Sequence, residues 1–145
     1  MSKDYVSNHK ARQTLPPIIR TATATGATID RKDEKRAAFE LVVGLWVDGV
    51  HTVTFEESAD GSAWSTIAAA KTRMPDDAPA GVVVGATIVI DAAAEDNVNY
   101  LVGYTGQLRY LRAKITSSGT TTGALIGINV VSSDLRYSGV SEFAS

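Results

Sequence analysis

The chain has 145 residues and no cysteine, which excludes disulfides, thiol nucleophiles and zinc sites built on thiolates. Its only histidines, His9 and His51, are too few for a three-histidine metal centre. Aromatic residues supply 7% of the chain, a thin stock for a sugar-stacking site. No apolar run approaches the roughly 20 residues that a membrane-spanning helix needs. The opening Met-Ser-Lys-Asp-Tyr lacks the apolar stretch of a signal peptide, so the expectation is a soluble protein made in the cytoplasm, with no membrane partner. Catalytic signatures are also missing. There is no phosphate-cradling Gly-x-x-x-x-Gly-Lys-Ser/Thr loop and no Gly-x-Ser-x-Gly elbow. With no base, nucleophile and oxyanion donor to assemble, the sequence is not expected to be an enzyme.

What is present suits one globular domain. The mass of 15.3 kDa fits a single core, and a chain 44% hydrophobic and 21% charged can bury enough apolar surface to fold. Charge is unevenly placed. Residues 1–36 hold eight basic against four acidic residues, a net of +4, and the remainder holds six against twelve, a net of −6. Such a split predicts a basic arm on an acidic body, suited to an acidic neighbour. Residues 1–15 show neither helical nor alternating periodicity, and Pro16-Pro17 imposes an extended entry into the body of the chain. The organisation expected is an extended N-terminal arm over 1–17, a β-sandwich over 18–135 and a C-terminal tail over 136–145.

From Ile18 onward the pattern is short strands punctuated by Gly, Asp and Asn. Candidate strands lie at 18–25, 38–47, 50–57, 64–70, 82–91, 97–104, 107–116 and 123–131. Eight strands at this spacing predict an all-β fold, an antiparallel β-sandwich or jelly-roll-like architecture. Asp48-Gly49 is a strong two-residue hairpin signal, since a type I′ turn needs positive φ at both central residues. In that register Val42, Gly44, Trp46, His51, Val53 and Phe55 share one apolar face, while Leu41, Val43 and Leu45 stand opposite polar residues on the other. A strand apolar on both sides needs cover on both, so Leu41, Val43 and Leu45 are expected to face the arm or another subunit, unless a bulge shifts the register. A second hairpin is expected at Thr105-Gly106, pairing Tyr100 with Leu111 and Leu101 with Tyr110.

Polar candidates read as structural. His51, beside an apolar strand, is expected to be packed rather than to act as a base. Asp91, Glu95 and Asp96 match no EF-hand spacing and read as a solvated acidic loop. No cofactor or metal is implied. Direct nucleic acid binding is disfavoured, because the body carries no basic stripe interleaved with aromatics and the isoelectric point is about 5.6.

The segment Val53-Thr-Phe-Glu-Glu-Ser-Ala-Asp-Gly-Ser-Ala-Trp-Ser-Thr-Ile67 resembles the strand, Ser-x-Asp-Gly-x-x-Trp, strand hairpin of discoidin-type and related jelly-roll sandwiches. Further along the chain come Gln107-Leu-Arg-Tyr-Leu-Arg-Ala-Lys-Ile-Thr116, a Thr-Thr-Gly turn, and Gly123-Ala-Leu-Ile-Gly-Ile-Asn-Val-Val131. Together these segments resemble small virion proteins of tailed bacteriophages. The resemblance spans residues 37–132 in organisation, with its motifs in 53–67 and 107–131, and the stretch before Pro16 carries no motif of the group. It implies a capsid decoration, or cement, protein on the outer surface of the virion, whose partner is the major capsid protein and which associates as a homotrimer. Contacts are then expected at Tyr5, Lys10, Arg12, Leu15, Ile18 and Arg20 in and beside the arm, and at Leu41, Val43 and Leu45. Two other readings stay open: a carbohydrate-binding β-sandwich with Trp46 and Trp64 as stacking candidates, and a tail or head-completion component of the virion.

Overall fold

The computed structural model describes residues 9–75, 83–84 and 87–135. Among the described residues there are twelve strands, in chain order: β1 (His9–Arg20), β2 (Ala24–Thr25), β3 (Ile29–Asp30), β4 (Glu34–Trp46), β5 (Val50–Ser58), β6 (Ser65–Thr66), β7 (Thr72–Arg73), β8 (Val83–Val84), β9 (Thr87–Ile90), β10 (Asn99–Tyr104), β11 (Tyr110–Ser118) and β12 (Ala124–Leu135). They form two antiparallel sheets. The five-stranded sheet has the order β1-β12-β4-β10-β7; the other runs β2-β11-β5-β9-β8, with β3 added to β11 and β6 to β5. The chain is an all-β sandwich.

Its core lies between the sheets. Phe39, Leu41 and Val43 of β4, with Ile126, Ile128 and Val130 of β12, face Val53 and Phe55 of β5 and Leu111, Ala113 and Ile115 of β11. The rings of Phe39 and Phe55 meet at 4.3 Å between centroids, tilted by 34°, a contact worth more than its buried area alone.

Neither expected hairpin forms. β4 pairs with β12 and β10, whereas β5 pairs with β11, β9 and β6. The Asp48-Gly49 turn is therefore a corner between sheets. Gly49 does take positive φ (88°), but the turn's polar groups are used across the sandwich. The Asp48 carboxylate accepts the N–H groups of Thr121, Thr122 and Gly123 at 2.7–3.1 Å, and the Trp46 indole donates to Gly49 O at 2.9 Å. Thr105-Gly106 is a corner too, since β10 lies in the first sheet and β11 in the second. At Gly106 a side chain would strike the Tyr104 ring, which folds back over it.

The strand expected from Ile18 begins at His9. It pairs with β12 from His9↔Ser133 to Arg20↔Ala124, with register shifts between Gln13 and Leu15 and between Leu15 and Ile18, the second of which takes up Pro16 and Pro17. Bulges on an edge strand are where a sheet tolerates Pro. The strand expected over 64–70 shrinks to β6, and Ala69–Lys71 forms a 3₁₀ turn instead.

Candidate functional site

Sheet geometry makes the outer face of the five-stranded sheet unlike the rest of the surface. Along β12, Ile126, Ile128 and Val130 point into the core, so Leu125, Gly127, Asn129 and Val131 point outward. A bulge opposite Leu125 inserts an extra residue between Val43 and Trp46 of β4. It switches the parity of that strand, leaving Leu45 outside at 60% exposure while Trp46 packs against the core.

The outer residues fall into rows across the strands. Ile19 of β1 stands opposite Leu125 of β12, whose other neighbours are Gly44 and Leu45 at the bulge. In the next row Pro17 lies over Gly127, and Val42 is the partner of Gly127 on β4. Both glycines let their neighbours lie flat. A Cβ at Gly44 would come within 2.7 Å of Leu125 Cδ2, and one at Gly127 within 2.8 Å of Pro17 Cβ. The result is an exposed apolar band of Ile19, Val42, Leu45 and Leu125, with Leu101 of β10 at its border. Ile18, paired with the core residue Ile126, is exposed at the open edge of the sheet on the opposite parity. The opposite sheet is different. Its outer positions hold Thr52, Thr54 and Glu56 across from Thr116, Lys114 and Arg112, and Arg112 bonds Glu56 at 2.7 Å.

The residues singled out in the sequence divide accordingly. Tyr5 lies outside the described residues. Lys10 is exposed, with its ammonium 4.0 Å from Glu34. Arg12 is engaged within the fold: its Nη2 reaches both Glu34 carboxylate oxygens at 2.5 and 2.7 Å, and its Nη1 donates to Asp30 O. Leu15 is a core residue at 3% exposure. Arg20 is buried too, bonding the carbonyls of Pro16 and Ile126, and desolvation lowers its pKa. Leu41 and Val43, expected to face a subunit, are instead 0% and 2% exposed in the core. The expected hairpin had assigned them the wrong parity. Val42 and Gly44, placed inward by that register, point outward. Ile18 and Leu45 are both exposed, but only Leu45 lies beside the Ile19–Leu125 pair; Ile18 pairs with the core residue Ile126 and is exposed at the sheet edge. Ile19, Leu125 and Leu101 were missed. The signal for Leu125 was its phase in Ala124-Leu-Ile-Gly-Ile128, where it is the large apolar residue on the outward parity.

The polar candidates are tied into the framework. His51 is fully buried, with Nε2 donating to Asp48 O at 3.1 Å and Nδ1 2.8 Å from Ser117 Oγ. Glu95 Oε2 accepts the Ala92 N–H and Asp96 Oδ1 accepts the Trp46 N–H, each at 2.7 Å, so the acidic loop is stapled to itself and to β4. Among the described residues no three His, Cys, Asp or Glu side chains converge as a metal site. The face of Trp64 carries the Arg112 guanidinium at 4.1 Å. At the end of the sandwich near β7, the Tyr104 hydroxyl donates to buried Glu57 at 2.5 Å and Lys71 bonds the other Glu57 oxygen at 2.6 Å. Burial and that carboxylate push the Tyr104 pKa up to about 12.

Fold and surface define an antiparallel β-sandwich whose five-stranded sheet carries an exposed apolar band on part of its outer face. No family model matches the chain, and no curated protein matches it. Among solved structures the chain is similar in fold to the SPBc2 prophage-derived protein YomS, with a TM-score of 0.53 and 7% sequence identity over 90% of this chain and 98% of that one. No helix among the described residues is long and apolar enough to cross a membrane.

Proposed function

We propose that the chain is a structural protein of a bacteriophage virion, which decorates and stabilises the head by binding across neighbouring major capsid subunits. The observation that carries this reading is the apolar band on the outer face of the five-stranded sheet, where Ile19, Leu45 and Leu125 stand exposed in one row, as the surface by which copies of the chain assemble into the decorating unit. Contiguous apolar surface rimmed by polar residues marks a protein-binding site. The fold shared with a prophage-derived protein supports a phage setting. The motifs at 53–67 and 107–131 support the decoration role. In this reading the band joins three copies of the chain in a closed ring, each using the same patch. A ring that binds only the expanded shell stabilises it by mass action, and repeated attachment adds avidity. The protein acts by binding, not by catalysis, and sits on the outer surface of the capsid. A sugar-stacking role is not favoured, because Arg112 occupies the face of Trp64.

The test is occupancy of purified heads of the phage that encodes the chain. Decoration predicts copies on the order of hundreds per particle, whereas a connector or tail ring carries about six or twelve. Absence from the head, or a ring-like copy number, refutes the reading.

A further inference from the structure

A second feature lies away from the apolar band, where the β3–β4 turn meets the segment between β10 and β11. A concavity of about 390 Å³ is lined by Arg31, Lys32, Lys35 and Arg109, together with Asp33 and Glu34. The Arg31 N–H donates to Arg109 O at 2.9 Å and fixes the two segments together. Its side chain is 7% exposed. The guanidinium stacks 5.1 Å from the Tyr104 ring centroid, and its Nη2 donates to the Lys35 and Glu34 carbonyls at 3.0 and 3.4 Å. Nη1 is shielded from solvent and has no hydrogen-bond partner among the described residues. Two nearby carboxylates are engaged by other cations. Glu34, whose charge reaches Arg31, gives both oxygens to Arg12, and Asp30 takes the fork of Arg109 at 2.7 Å twice.

A buried guanidinium stays charged, and a buried charge without a bonded counter-ion is costly. A carboxylate brought into the concavity supplies counter-charge beside Arg31, with exposed Lys32 and Lys35 adding charge at its rim. The four cations of the lining face two carboxylates, a surplus that suits one or two negative charges and disfavours a polyanion backbone. We propose that this concavity binds a carboxylate side chain presented by an acidic segment of a partner protein. The proposal rests on the virion reading only in naming the capsid subunit as the source of that segment.

The test is a titration of the ¹⁵N-labelled full chain with an acidic Glu/Asp peptide, monitored by amide chemical shifts. Saturable shifts confined to residues 31–35 and 107–109 are expected. The double variant Lys32→Gln/Lys35→Gln, altered only at exposed positions, is expected to weaken the peptide about fivefold. Arg31→Gln is expected to abolish binding, and the rim variant carries the test if Arg31→Gln does not fold. Shifts spread over basic residues elsewhere, or an unchanged affinity in the rim variant, overturn the proposal. So does tighter binding of inorganic phosphate or a DNA oligonucleotide than of the peptide. Peptide binding at this site by a protein that fails to occupy heads upholds the carboxylate site while the virion reading falls.

Discussion

Leu41 and Leu45, four residues apart on one strand, are predicted to respond very unequally to truncation. Leu41 is fully buried and pairs with Tyr100 on one side and Ile128 on the other. Both neighbours are themselves fixed in the core, so the space left by Leu41→Ala is not expected to close. The cost lies toward the upper part of the range for such changes, about 3–5 kcal/mol. For a domain of this size that lowers the melting temperature by roughly 6–20 °C. Leu45 is 60% exposed, and Leu45→Ala is expected to change the stability of the isolated subunit by no more than about 0.5 kcal/mol. Far-UV circular dichroism melts at sub-micromolar concentration, where self-association contributes least, separate the two. Equal losses from both variants, or a shift below about 2 °C for Leu41→Ala, would refute the assignment of β4's two faces.

Other positions give further tests. Tyr104→Phe removes the hydroxyl that serves Glu57 and the Leu108 N–H, and is expected to cost about 1–3 kcal/mol in urea unfolding because both partners stay behind. Gly123 holds φ at 88° and a Cβ there would strike the Arg20 carbonyl; Gly123→Ala is expected to destabilise by about 1–3 kcal/mol, and a neutral result would contradict the tight approach of β1 to this turn. The bond from Arg109 holds the Asp30 pKa down to about 2, below its ordinary 3.8. A carboxyl with a depressed folded pKa contributes stability that is complete above its unfolded pKa and lost as pH falls through the folded one. The urea midpoint of the wild type should therefore exceed that of Asp30→Asn at pH 6 and converge on it between about pH 4 and 2. Because the pair is exposed, the gap should also shrink in high salt.

The long strands β4, β5, β10, β11 and β12 were legible in the sequence, and so was the all-β class, because apolar alternation and turn residues are local signals. Strand partners were not. Asp48-Gly49 and Thr105-Gly106 announce a reversal of the chain, but the same turn chemistry serves a hairpin or a corner between sheets. The choice is made by distant segments, here β12 and the Asp48 contacts with 121–123. That choice decided the surface. With the hairpin assumed, Leu41 and Val43 took the outer parity; with β4 between β12 and β10, Phe39, Leu41 and Val43 turn inward and Leu45 escapes outward only past the bulge. The prolines misled in the same way. Pro16-Pro17 reads as the end of an arm, yet an edge strand absorbs both by shifting register. The Arg31 concavity was invisible because its lining joins residues 31–35 to 107–109, which no local pattern connects.

The most direct test of the apolar band as a protein-binding surface is the solution mass of the purified chain by size-exclusion chromatography with light scattering. Measurement at micromolar concentration and two salt levels should compare the wild type with Leu45→Asp/Leu125→Asp. The account predicts a salt-resistant trimer of the 15.3 kDa chain that falls to monomer in the double variant, with its circular dichroism unchanged. A wild-type monomer, or a variant that remains trimeric, would contradict it.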